Sequence, residues 1–181
     1  MNEPLTPDEQ RTLLRLARRA LEHYFDTGRR LEPSVKDPRL MEKRGAFVTL
    51  KVDDELRGCI GYPLPLKPLA ETVVEMAVAA ASEDYRFDPL TREELDTTKI
   101  EISVLGLPEP LKNPEEVYVG RHGIIISKGM NRGLLLPQVP VEQCWDRETY
   151  LRHGCLKAGI GPEEWKKGAK IEVFTAQVFS E

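Results

Sequence analysis

A cysteine stands between two glycines and two residues after an arginine in Leu56-Arg57-Gly58-Cys59-Ile60-Gly61. Those residue types, so spaced, suit thiol chemistry. The thiolate is the reactive form, and an unperturbed thiol is only a few per cent ionised at neutral pH. A permanently charged arginine on the same strand face favours the thiolate if the two groups meet. Gly58 and Gly61 remove side-chain bulk and so admit a ligand or another backbone. Against this stands the ordinary fate of a free cysteine, which is to act as a small buried hydrophobe.

Other groups offer proton or charge chemistry. His122, inside Gly120-Arg121-His122-Gly123, sits at a tight turn entering a strand, where an imidazole can serve as acid, base or ligand near pH 7. Asp84 and Arg86, in Asp84-Tyr85-Arg86-Phe87, read either as a ligand-gripping pair or as a local salt bridge. His23 and His153 fall in helical segments and read as structural or surface residues. A metal centre would have to gather Cys59, His122, Cys155 and Asp84 from distant segments without a Cys-x-x-Cys or His-x-x-x-His spacing, so no metal site is expected. The phosphate-binding loop, the dinucleotide glycine fingerprint and the serine nucleophile elbow are missing from the sequence, and no cofactor is assigned.

The elements that must position these groups follow from periodicity. Thr6-Pro7-Asp8-Glu9 is a helix start with a capping box, Leu13, Leu16, Ala17, Ala20, Leu21 and Tyr24 form the buried stripe, and Gly28 is the stop. Arg11, Arg15 and Arg18 line its opposite face, read as solvated. Residues 29–44 are an irregular crossing. Gly45 to Val52 and Glu55 to Tyr62 read as a hairpin turning at Asp53-Asp54; strict alternation then places Arg57, Cys59 and Gly61 on one face and Leu56, Gly58 and Ile60 on the other. A second helix runs from about Pro68 to Ser82, with Ala77 to Ala81 small enough for close packing on a sheet. Thr91-Arg92-Glu93-Glu94 is another capping box, and Lys99 to Leu107 a half-buried strand. Ile124 to Lys128 and Gly133 to Leu136 form a hairpin, a helix begins near Asp146 and ends at Gly159, and Lys170 to Phe179 is the last strand. This mixture without a βαβ rhythm predicts an α+β fold, a largely antiparallel sheet flanked by helices, in one domain spanning 1–181.

Composition sets the outer bounds. The 181 residues suffice for a real core, and the net charge of −4 offers no basic field for nucleic acid, which is placed last among partners. No apolar run reaches membrane-span length, and Met1-Asn2-Glu3-Pro4 is polar and unlike a signal peptide. Three cysteines at unpatterned positions argue against a disulfide framework and make a reducing cytoplasm the expected location.

At this point the motifs taken together resemble the AMMECR family. Gly45-Ala46-Phe47-Val48-Thr49-Leu50 and Leu56 to Gly61 carry the resemblance. Asp84-Tyr85-Arg86-Phe87 (Asp-Pro-Arg-Phe is usual there), Glu101-Ile102-Ser103-Val104-Leu105, Gly120 to Gly123, Leu136-Pro137-Gln138-Val139 and Lys157-Ala158-Gly159 follow in the family's order. The resemblance, to a prokaryotic-type single-domain member, implies an α+β domain with a larger and a smaller lobe and the Leu56–Gly61 motif near the cleft between them. It implies association with Memo-like and radical SAM proteins, and it names no substrate. Three functional readings result. In the first, an enzyme or enzyme subunit uses Cys59 as nucleophile or redox thiol on a small molecule, with Arg57 lowering the thiol pKa or holding an anion and His122 carrying the proton. In the second, a non-catalytic module offers a ligand or partner groove at the motif, with Gly58, Gly61, Asp84 and Arg86 in contact. The third is a role related to RNA modification.

Overall fold

Asp53 and Asp54 both adopt left-handed backbone, at φ 52° and 64°, and so close a two-residue hairpin of the kind whose twist matches the flanking strands. The strands it joins are β1, Ala46–Val52, and β2, Glu55–Tyr62. The computed structural model describes residues 3–181, in which the chain divides into two units. Met1 and Asn2, which open the polar N-terminus, lie outside the described residues. The first unit comprises the chain up to Leu105 together with Gln177–Glu181, and the second comprises Gly106–Ala176. The larger and smaller lobes expected from the resemblance correspond to these two units.

In the first unit α1, Pro7–Thr27, starts on the expected capping box: Thr6 N–H donates to Glu9 at 2.6 Å and Glu9 N–H to Thr6 Oγ1 at 3.3 Å. It packs against α2, Leu69–Ser82, which lies on the sheet. That sheet has the order β2-β1-β3-β8, with β3 at Lys99–Leu105 and β8 at Ala176–Ser180. Alternate residues of β1 and β3 (Ala46, Val48, Leu50, Ile100, Ile102, Val104) join Leu13, Ala17 and Leu21 of α1 and Val73, Met76 and Ala77 of α2 in one buried cluster. Arg18, expected on a solvated face, instead donates to the Leu95 and Thr98 carbonyls and pairs with Glu181. A long side chain on a helix flank reaches the chain end, which spacing along the helix does not reveal.

The second unit has a sheet of order β4-β7-β5-β6. Its strands are Glu109–Leu111 (β4), Gly123–Lys128 (β5), Asn131–Leu135 (β6) and Lys170–Phe174 (β7). The β5–β6 hairpin turns on Gly129 and Met130, tighter than expected, so β6 begins at Asn131. After a four-residue helix α3, Val139–Glu142, comes α4, Arg147–Lys157, capped by Asp146 as its spacing predicts. Val117, Ile124, Ile126, Tyr150, Leu151, Cys155, Ile171 and Val173 form its buried cluster.

The single strand expected over Lys170 to Phe179 is two. Thr175 interrupts it, β7 pairs in the second sheet and β8 in the first. Period-2 alternation continues across the break, so it carries no information about which neighbour each half pairs with. β4 and α3 are not expected from the sequence, nor are the short 3-10 turns Pro38–Met41, Pro114–Glu116 and Glu164–Lys166; three or four residues are too few to show a period.

Candidate functional site

β2 is an edge strand, and its pairing with β1 contains a bulge. Leu50 faces Gly58 and Lys51 faces Leu56, leaving Arg57 as the extra residue. The alternation that placed Arg57 and Cys59 on one face therefore does not run through Arg57. Its guanidinium is spent on the chain that follows α2. Nε and Nη2 donate to the two oxygens of Glu94 at 2.8 and 3.1 Å, Nη1 to the Asp88 carbonyl and Nη2 to the Pro89 carbonyl at 3.3 Å. Glu94 also closes the predicted capping box, accepting from Thr91 N–H at 2.8 Å. The Arg57 guanidinium, and after it the Thr91 N–H, hold the Glu94 carboxyl below its ordinary value.

The room left by the two glycines is taken by the protein itself. A Cβ on Gly58 would stand 2.0 Å from the Ala80 carbonyl oxygen, so α2 lies directly on the strand at its alanine run. A Cβ on Gly61 would stand 2.4 Å from both the Ala46 carbonyl oxygen and the Phe47 ring.

Between the glycines, Cys59 is partly exposed and held at three points. Its N–H donates to Asp84 Oδ2 at 2.8 Å, its carbonyl accepts from Arg86 Nη2 at 3.3 Å, and its Sγ accepts from Thr49 Oγ1 at 3.3 Å. Thr49 is the cross-strand partner of Cys59 on β1 and of Glu101 on β3, and Glu101 pairs with Lys51 at 3.0 Å. Asp84 and Arg86 are themselves bidentate: Nε to Oδ1 at 2.9 Å and Nη2 to Oδ2 at 2.7 Å. The pair thus does for the edge of β2 at residue 59 what a further strand would do. The Asp84 side chain is 2% exposed. The Arg86 guanidinium, then the Cys59 and Arg86 backbone N–H groups, hold it far below the carboxylate range against the opposing effect of burial. Asp84 in return raises Arg86 further above its already high value. Between the two, Tyr85 is 94% exposed.

His122 belongs to the second unit. The turn expected around it is present: its N–H donates to the Tyr118 carbonyl at 2.9 Å, and Gly120 has φ 79°. Tyr118 N–H approaches His122 Nδ1 at 3.4 Å, and the two rings meet edge-on at 5.4 Å. Burial, reinforced by the charge of Arg121, lowers the imidazole below its ordinary value, so it is neutral near pH 7. His153 stacks on Trp145 at 3.8 Å, in keeping with a structural role. Cys155 lies buried in the core of the second unit, where desolvation pushes its thiol up, and Cys144 is exposed.

Within the first unit Cys59, Asp84 and Arg86 are therefore joined by hydrogen bonds, while Arg57 bonds to Glu94 and the Asp88 and Pro89 carbonyls and Gly58 and Gly61 are packed against Ala80 and Phe47. Sequence reasoning missed Thr49 and Glu94 as partners. The Asp53-Asp54 turn by itself sets Thr49 opposite Gly58; only the bulge at Arg57, which also frees that side chain to reach Glu94, moves Thr49 opposite Cys59, and the bulge leaves no mark in the sequence.

Comparison with known proteins finds relatives over nearly the whole chain. The model of the family described as AMMECR1 matches residues 14–179. A protein of Methanopyrus kandleri is 51% identical over 191 aligned residues, covering 100% of this chain and 92% of the relative. One from Thermofilum pendens is 48% identical, covering 98% and 92%. The crystal structure of an uncharacterised protein from Pyrococcus horikoshii superposes with a TM-score of 0.77 at 45% identity, covering 94% of this chain and 90% of that one.

Proposed function

We propose, for a chain that belongs to the AMMECR1 family, that it is an enzyme or enzyme subunit in which Cys59 is the working thiol on a small molecule. One observation carries the reading: both peptide groups and the sulfur of a partly exposed cysteine are each held by a separate hydrogen bond. A filler cysteine requires no such restraint, and Cys155 of the same chain is the buried, packed example. A positioned nucleophile does require it, because small misplacements cost large factors in rate. In this reading Asp84 is a positioning residue acting through the Cys59 backbone, Arg57 positions the segment that carries Asp84 and Arg86, and Thr49 supplies a hydroxyl to the sulfur.

The test is alkylation of the folded protein by iodoacetamide, followed at each cysteine by mass spectrometry. Cys59 is expected to react faster than the more exposed Cys144, and Thr49→Val to reduce that advantage. A rate at Cys59 below that of Cys144 would overturn the reading.

A second reading, a non-catalytic binding module, draws support from Arg57, whose donors go to Glu94 and two carbonyls rather than to the sulfur. It expects Cys59→Ala to retain, and Arg57→Ala to weaken, capture of the Memo-like protein that the family resemblance implies as a partner. Equal tolerance of both changes would count against it.

A further inference from the structure

We infer that the small molecule handled at Cys59 carries an acidic group, a carboxylate or phosphate, and that Arg86 holds it; this rests on the reading of Cys59 as the working thiol. Of the two arginines that the motif and its facing loop supply, Arg57 is consumed. Nε, Nη1 and Nη2 all have protein acceptors. Arg86 differs. Its Nε and Nη2 are committed to Asp84 and to the Cys59 carbonyl, while its Nη1 has no acceptor among the described residues and its side chain is 47% exposed. Nε and Nη2 fix the cation beside residue 59, and the two N–H groups of Nη1 remain available.

Asp84 does not cancel this. Its carboxylate is buried behind the guanidinium and both its oxygens already accept, so it orients Arg86 and leaves the unspent N–H groups as donors for an incoming anion. A planar guanidinium anchored through Nε and Nη2 loses little freedom when Nη1 binds a carboxylate or phosphate oxygen. The other charged groups near the sulfur's row are Lys51 and Glu101, which are paired with each other.

The experiment compares two probes of similar size that form the same Sγ–C bond and release iodide, the anionic iodoacetate and the neutral iodoacetamide. For each the rate at Cys59 is divided by the rate with a small free thiol. The resulting iodoacetate-to-iodoacetamide ratio at Cys59 is expected to exceed one by about five-fold, the factor that one net hydrogen bond is worth. It is expected to fall to about one in Arg86→Gln and to decline with added salt in the unaltered protein, while Lys51→Gln leaves it in place. Because the ratio divides out any change in exposure, loosening of the loop in Arg86→Gln does not mimic the result. The salt series gives the same answer if that variant fails to fold. A fast Cys59 with a ratio near one, insensitive to salt, overturns the acidic-ligand inference alone. A Cys59 slower than Cys144 toward iodoacetamide overturns the working-thiol reading itself.

Discussion

Each unit lays a helix on a sheet through glycine, yet the two units place their cysteines in opposite circumstances. In the first, Gly58 on β2 receives the backbone of α2 at Ala80, and the neighbouring Cys59 stands on the strand, partly exposed and hydrogen-bonded on all sides. In the second, Gly133 on β6 receives the backbone of α4 at Ala158, Gly154 on α4 receives Ile124 and Ile126, and Cys155 beside it is sealed in the core. The same packing device yields a held, accessible thiol in one case and an inert one in the other. The difference lies in what surrounds the cysteine: a polar pair from a loop and partial exposure for Cys59, and a helix's own hydrogen bonds within a buried cluster for Cys155.

The largest effect should come from removing the shared device. Gly58→Ala and Gly133→Ala would each drive a methyl group to within 2.0 and 2.3 Å of helix backbone that has no rotamer to change. Each is expected to cost about 3 kcal/mol in chemical denaturation. Similar losses for the two variants would bear out the parallel between the units, and a negligible loss for either would break it.

The next effect isolates the polar pair. Asp84→Asn removes a buried charge that accepts from Cys59 N–H and from the Arg86 fork, and should cost about 2 kcal/mol at neutral pH. The sign of its pH dependence follows from the depressed carboxyl. The unfolded chain binds a proton near pH 4 and the folded one only at lower pH, so the contribution is complete above about pH 4 and is lost as acid protonates the folded form. Denaturation midpoints measured against pH should therefore show the gap between the unaltered protein and Asp84→Asn closing below about pH 4. A gap that persists unchanged at pH 2 would remove Asp84 from its place in the comparison.

The smallest effect compares the cysteines themselves. Cys155→Ala leaves a small void in a packed core and should cost about 1 kcal/mol, whereas Cys59→Ala, at a partly exposed site, should stay within about 0.5 kcal/mol. A larger cost at Cys59 than at Cys155 would mean that the first thiol is a packing group after all.

The elements around the candidate site were largely legible. The hairpin, its Asp53-Asp54 turn, the small-residue run of α2 and the capping box at Thr91 all depend on near neighbours in sequence, and all are present. The loop pair was legible only as an alternative, because Asp84 and Arg86 two residues apart announce a salt bridge but not that it brackets a strand edge. Arg57 was misplaced relative to Cys59 because a one-residue bulge resets the alternation and leaves no mark in composition.

The sequence by itself determined the α+β class, the family and the hexapeptide singled out as the candidate site, since capping, alternation and motif order are properties of adjacent residues. Tertiary structure alone decided that Arg57 serves Glu94, that Gly58 and Gly61 are filled by Ala80 and Phe47, and that Thr49, Asp84 and Arg86 hold Cys59. It also decided that one alternating run near the C-terminus is shared between two sheets. Each of these depends on which distant backbone or side chain fills a given space, and the free energy that selects among such pairings appears only once the chain has closed on itself.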